Sequence, residues 1–426
     1  MSPRPTGNTR LKAARQHAGY ASQQAFANAL TQAAPRMGLG QLEVSVRQIR
    51  RWESSSPPWP RADHQRLLVQ LLKMPIEQLG FTPPWQPSDA MHAPGAAGGP
   101  LTPGPATIPP GLPIPQAAAS LQPSTIGTDF TTITVAHRRM YWTVQPAHLH
   151  PTVVEHTRLG LHLLSETNGV ARRLLAVALS ESLLLAGRIE FFDLRQTGDA
   201  DATYVRALQA AGEADDPLLG AAILAHAAFI PGWAQRRSEA AERLRAARAY
   251  ARRGPASTEF MAWIDAVEAE CDTLSGHPVD ALRTIAHAEK VLATENNHGS
   301  PEWFTWFSPA RLAAFKGNTQ LKARRYAQAR DTLTSALAGL SGDDGKQRTV
   351  VLGDLAAIEV AQKMPEAACV RIHEALDQIA ITWYATGMER IRDVRHSLQP
   401  WADTDYVRQV DDRLYSWQTT FSALQR

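Results

Sequence analysis

Residues 44–53, Val44-Ser45-Val46-Arg47-Gln48-Ile49-Arg50-Arg51-Trp52-Glu53, read as a short helix with one apolar face and one strongly basic face. Ser45 suits the N-cap, where a hydroxyl accepts an N–H of the first turn. Ile49 and Trp52 lie three apart, so they share a face and mark the side turned to a core. Val46, Arg47, Gln48, Arg50 and Arg51 project elsewhere, and three of these five are arginines. Guanidinium forks match phosphate oxygens and the guanine edge in the major groove, which is the chemistry of a helix that enters DNA. A solvated surface helix would also carry such charges, so the flanking sequence has to decide.

Upstream, Thr9 to His17 predicts a first helix ended by Gly19. Ser22 to Leu30 predicts a second, with Ser22 as N-cap and Phe26 and Leu30 on one face. Together the three segments resemble the helix-turn-helix of the Xre or phage-repressor family. That resemblance implies that Arg15, Ser22 and Gln23 touch phosphates, that Val46, Arg47, Gln48 and Arg51 face bases with Arg50 on the same surface, and that Trp52 and Glu53 are structural. The connection from Gln32 to Glu43 departs from the family, whose turn here is three or four residues long. Pro35, Gly38 and Gly40 mark it as a true loop. This long-loop form, with Pro57-Pro58-Trp59-Pro60, a further helix and the run Glu77 to Pro84, is similar to actinobacterial regulators. A DNA-binding domain is therefore expected over residues 8–81.

Residues 1–85 hold 11 Lys or Arg against 4 Asp or Glu, while the remainder holds 33 against 37. A small basic domain joined to a mildly acidic body is what phosphate binding at one end requires. Between the two, 12 prolines fall from Pro83 to Pro123, and no Lys or Arg occurs between Met74 and His137. Such composition predicts an extended tether over residues 82–128, spanning roughly 35–40 Å as a flexible coil. Its use as a proline-rich ligand is the alternative.

The rest, residues 131–426, is Ala- and Leu-rich with helical spacing throughout and predicts an all-α body. His137 to Trp142 is expected to open its first helix. Four segments repeat a small-large-small spacing: Ala240-Leu244-Ala247, Ala281-Ile285-Ala288, Ala329-Leu333-Ala336 and Ala368-Ile372-Ala375. Twelve residues before each leading alanine stands another small residue, in order Ala228, Ala269, Gly317 and Ala356. Small residues on both arms of a helical hairpin let the backbones approach, and the large one fills the gap to the next hairpin.

The pattern resembles the tetratricopeptide repeat, a solenoid of stacked helix pairs, over residues 150–395. A weaker fifth copy centres on Gly198, Thr203, Ala207 and Ala210, and Gly276-His277-Pro278 matches the turn between paired helices. Glu268 and Lys316 depart from the family by occupying a position that is usually large and apolar. The resemblance implies a concave groove for a peptide, small effector or protein partner. Arg188, Phe192, Phe229, Trp263, Glu270, Arg311 and Asn318 should line it, with Trp303 and Trp306 near its rim or packed in the core.

Other classes find less support. No apolar run reaches eighteen residues, and Leu174 to Ala186 is broken by Ser180, Glu181 and Ser182, which excludes a helical membrane span. Met1 to Gly7 lacks the apolar core of a signal peptide. Two cysteines, Cys271 and Cys369, exclude a disulfide framework and point to a cytoplasmic protein. His148, His150, His156 and His162 cluster without a carboxylate or cysteine at metal-ligand spacing, so no metal and no cofactor is expected. No phosphate loop, nucleophile elbow or carboxylate pair appears, and an enzyme is not expected. The expectation is a homodimeric, sequence-specific regulator of transcription that binds double-stranded operator DNA. An interaction scaffold that is only localised by its helix-turn-helix is the rival, and a phage- or plasmid-type immunity component shares the DNA-binding step.

Overall fold

The computed structural model describes residues 7–37, 39, 42–54, 57–58, 60, 62–74, 76, 78–81, 119–295 and 298–424. They form 18 α-helices and no strand, and the chain divides into two compact units between residues 102 and 103. Residues 82–118, most of the expected tether, lie outside the described residues, as do Gly38, Gly40 and Trp59. No helix among the described residues is long and apolar enough to cross a membrane.

The first unit contains α1 (Thr9–His17), α2 (Gln23–Ala33), α3 (Val46–Trp52) and α4 (Ala62–Leu72). Leu11, Phe26, Leu30, Ile49, Leu67 and Leu68 are fully buried together, and Trp52 is 1% exposed. Asn8 ties three segments at once. Its Oδ1 caps α1 at Leu11 N (3.2 Å), while its Nδ2 donates to Trp52 O (3.2 Å) and Leu79 O (3.0 Å). Gly80 has φ 79°, and any Cβ there would collide with Asn8, so the tail through Phe81 belongs to this unit. The connection after α2 is more ordered than a plain loop. α2 continues to Ala33, a 3-10 turn covers Pro35–Met37, and Val44 N donates to Thr31 Oγ1 at 3.0 Å.

The second unit is built from consecutive antiparallel helix pairs. α5 (Ile126–Met140) and α6 (Pro146–Ser165) precede α7 (Gly169–Arg188) and α8 (Thr197–Ala214). Then come α9 (Pro217–Trp233) with α10 (Arg237–Ala251), α11 (Thr258–Leu274) with α12 (Pro278–Leu292), and α13 (Pro309–Lys322) with α14 (Tyr326–Gly339). α15 (Gly345–Ala361) with α16 (Pro365–Ile381) makes the last pair, and α17 (Ala385–Ser397), packed on α15, and α18 (Asp405–Leu424), packed on α16, finish the array. The helix ending near His137 starts at Ile126, not in the His137–Trp142 segment, because the Thr-rich run Thr128–Thr134 also turns helically.

Each small-large-small motif sits on the second helix of a pair, and every one of its residues is at most 1% exposed. Gly317 shows why the partner position must be small: a Cβ there would collide with Leu333 Cγ. The fifth copy has a different register from the one expected. Gly198 and Thr203 are not buried, whereas Ala200, Tyr204 and Ala207 are, and a Cβ on Gly187 would meet the Tyr204 ring. The cause is a π-helical turn at Ile189–Asp193, which adds one residue between the paired small positions. The hairpin turns tell the same story. Arg236, His277, Arg325 and Met364 donate their N–H to the carbonyl five residues back, and Gln196 donates six back, to Glu190 O. Before each stands a residue with positive φ, yet only Gly276 is a glycine; the others are Arg195, Gln235, Arg324 and Lys363.

Glu268 and Lys316 find partners on the helices packed beside them. Arg248 pairs with Glu268 and with Asp265 at 2.5 Å, and Lys316 pairs with Glu289 at 2.8 Å. The inner face of the array does not stay open. Lys346 at the start of α15 reaches Asp193 in the π turn (2.7 Å), Thr386 Oγ1 donates to Phe192 O (3.1 Å), and Arg195 pairs with Glu389. The last pairs are thus fastened to the first.

Candidate functional site

In the first unit, Ser45 Oγ accepts Gln48 N at 3.2 Å and opens α3 as a hydroxyl cap should. With Ile49 and Trp52 buried, Arg47, Arg50 and Arg51 are exposed and Val46 and Gln48 half-buried. Ser22 Oγ caps α2 at Ala25 N (3.0 Å) and is itself exposed. The expected basic surface is therefore present around α3, with one correction. Arg15 is 3% exposed and is not free to touch phosphate. Its Nε donates to Glu53 Oε1 at 2.7 Å, and its Nη1 donates to the carbonyls of Tyr20 (2.6 Å) and Ala21 (3.1 Å). Gln23 Nε2 holds the other oxygen of Glu53 at 2.6 Å, and Arg50 Nε approaches Gln23 Oε1 at 3.4 Å. Glu53 therefore locks the three helices together and leaves the α3 arginines outside the lock.

In the second unit a cavity of roughly 870 Å³, counting the open space at its mouth, occupies the inner face of the array. Arg188, Phe192, Phe229, Trp263, Glu270, Trp306, Arg311 and Asn318 all line it. Trp303 does not; it lines a smaller neighbouring cavity with Arg138 and Glu181. There burial pushes the Glu181 carboxyl up to about 7, although Arg138 Nη1 stands 2.6 Å away and pulls it down. The segment around Trp303 divides its roles, since Phe304 and Phe307 are core while Trp306 faces the main cavity.

The open concave groove expected from the repeats is also corrected. Asn318 is 3% exposed and donates through Nδ2 to Asp354 Oδ2 at 2.9 Å, and Trp263 is 1% exposed. The contacts of α15 and α17 with the π turn after α7 narrow the groove beside them. Tyr141, Trp142, Lys346, Tyr384 and Arg390 complete the wall, and none of these was foreseen. His226 and Phe315 could have been found from spacing, because each stands three residues upstream of a residue expected in the groove, Phe229 and Asn318. Counting the extra π residue brings Arg188 into the same row as Phe229, Glu270 and Asn318.

Buried charges surround this space in pairs. Arg311 donates to Asp344 Oδ1 through Nε (3.1 Å) and Nη2 (2.5 Å), Lys346 Nζ sits 2.7 Å from Asp193, and Arg390 bridges Asp354 (2.9 Å) and Glu270 (3.6 Å). Burial pulls the Lys346 ammonium down to about 8 and raises the Asp193 carboxyl, since water is excluded from both. Burial also drops His226 to about 3. Its Nδ1 lies 2.8 Å from Ala222 O, so the neutral ring carries its proton there and keeps Nε2 as an acceptor.

Three of the four histidines in the sequence cluster go to separate partners: His150 to Glu190 (3.0 Å), His156 to Thr134 (3.0 Å) and His162 to Glu166 (3.3 Å). Among the described residues no group of three His, Cys, Asp or Glu could hold a metal ion. Cys271 and Cys369 are each 2% exposed and unpaired, and burial raises both thiols, Cys369 to about 11. Comparison of the chain with protein-family models and with curated proteins returns no match.

Proposed function

We propose that the chain is a sequence-specific DNA-binding regulator of transcription, in which α3 reads the operator and the cavity of the second unit receives an effector. The observation that carries this is the division of α3. Ile49 and Trp52 are buried, Glu53 is committed to Arg15 and Gln23, and Arg47, Arg50 and Arg51 stay exposed with no ion pair among the described residues. Three unneutralised guanidinium groups on one rigid seven-residue helix suit phosphate and guanine contacts. A single small domain makes few base contacts, so a homodimer on a two-fold operator is part of the proposal.

The narrowed inner face favours a small effector over the protein partner of a scaffold, because the links from Lys346, Thr386 and Glu389 obstruct the place where a partner helix would lie. Mapping of bound DNA across the genome tests the reading. Discrete two-fold sites are the expected outcome, and diffuse occupancy with equal affinity for scrambled duplexes would refute it.

A further inference from the structure

We propose that the cavity takes a compact carboxylate with a flat apolar body, and that Arg188 is the counter-ion for its carboxylate. The proposal deepens the effector assignment of the same cavity and rests on it for any consequence at DNA. Four cations line the wall, and three have a carboxylate: Arg311 has Asp344, Lys346 has Asp193, and Arg390 has Asp354 and Glu270. Arg188 has none. It makes no hydrogen bond or ion pair among the described residues, and its Nε is shut off from solvent without an acceptor. A guanidinium cannot discharge itself by losing a proton, and Arg188 reaches Asp193, which Lys346 already holds, only through space; a half-buried charge with no direct partner is costly unless something on the wall's open side completes it.

What holds Arg188 instead is aromatic. Its Cζ stands 4.8 Å from the Tyr141 ring centroid, 5.1 Å from Trp306 and 5.7 Å from Trp142. Stacking of this kind fixes the guanidinium plane and leaves its edge N–H groups free for a bidentate acceptor. Arg311 packs on the same two tryptophans at 4.7 and 5.2 Å, but its N–H groups are spent on Asp344. The adjacent wall is apolar, with Phe192 5.2 Å from Phe229 and 5.8 Å from Trp233, centroid to centroid. Carboxylate geometry matches the fork, ring faces match a flat hydrocarbon, and the links that narrow the inner face set the compactness.

The test uses the full chain and reads tryptophan fluorescence during titration with hydrocinnamate, its uncharged amide, and phenylpropylamine. Saturable quenching by the carboxylate, binding at least about tenfold weaker for the amide and none for the amine are expected. Arg188→Met should abolish the preference for carboxylate over amide while the ligand-free chain still melts cooperatively. Equal affinity for carboxylate and amide, no saturable binding of any of the three, or a preference that survives Arg188→Met would overturn the proposal; the first two need no variant. Tighter binding of the peptide Gly-Gly-Gly-Phe than of hydrocinnamate would overturn the compact-ligand assignment. Operator affinity is measured separately, so carboxylate binding that leaves it unchanged would sustain this site and sink the effector reading.

Discussion

Breaking the Arg15–Glu53 pair separates a structural lock from a phosphate contact. The side chains of Arg15 and Glu53 are 4% and 7% exposed, and their contact is 2.7 Å. Glu53→Ala leaves a buried guanidinium with only two carbonyl acceptors and frees Gln23, a loss of about 3–5 kcal/mol for an orphaned buried charge. A unit of this size has about 4–11 kcal/mol of stability in total. The variant should therefore lose about a quarter or more of that stability, with amide exchange across α1–α3 accelerated and the second unit unaffected. Replacing both partners, Arg15→Met with Glu53→Leu, should recover most of the loss because no charge is then stranded. The salt dependence of DNA binding supplies the decisive arm. Removing one phosphate contact lowers the slope of log K against log salt by about 1. The double variant should keep the parental slope, and a lowered slope with unchanged exchange protection would show that Arg15 does bind phosphate and that the lock is incidental.

Other outcomes follow from the same structure. Arg47→Ala or Arg51→Ala should each cost about 1–3 kcal/mol on the preferred operator and relax base preference, and equal losses on a scrambled duplex would reduce them to phosphate contacts. Gly317→Ala should destabilise the second unit by about 1–3 kcal/mol in a thermal melt, because the new Cβ meets Leu333; an unchanged midpoint would show that the pair can relax. Burial lowers His156 from 6.5 to about 4, so the unfolded chain binds more protons in that window. Its stability contribution is full above pH 6.5, is lost as pH falls toward 4, and amounts to about 3 kcal/mol; the acid loss should be smaller in His156→Gln, and parallel profiles would exclude this histidine as its source. A fragment ending near residue 81 should fold alone and bind DNA more weakly than the full chain, and a fragment without helical circular dichroism would disprove an independent first unit.

Local periodicity made much of this legible. Ile49 and Trp52 announce the inner face of α3, and the repeated Ala-Leu-Ala spacing locates the second helix of four pairs, because burial in a helix leaves a 3.6-residue signature. The glycine signal is absent from four of the five hairpin turns because Arg195, Gln235, Arg324 and Lys363 take positive φ themselves, stabilised by the five- or six-residue backbone hydrogen bond that follows. The fifth, weaker copy has its register shifted by the one residue of the π turn, which no spacing rule anticipates. Arg15 shows the opposite limit: an arginine on a basic helix looks like a phosphate ligand until Glu53, thirty-eight positions away, is brought against it. Tyr141, Lys346, Tyr384 and Arg390 reach the cavity only because the array curls back on itself.

That closure alters how the second unit should fold. Stacked helix pairs exchange contacts only with their neighbours, so they nucleate anywhere, propagate like a one-dimensional lattice and fray at the ends. Here the links Asp193–Lys346, Phe192–Thr386 and Arg195–Glu389 join positions 153 and 194 residues apart. Loop-closure entropy must be met before any of them can form, which makes docking of the last pairs on the first a late and slow event. Once formed, the ring leaves the helices that carry these links without free ends, so local opening there is coupled to release of the ring, and the array gains a cooperativity that a linear stack of the same helices would lack.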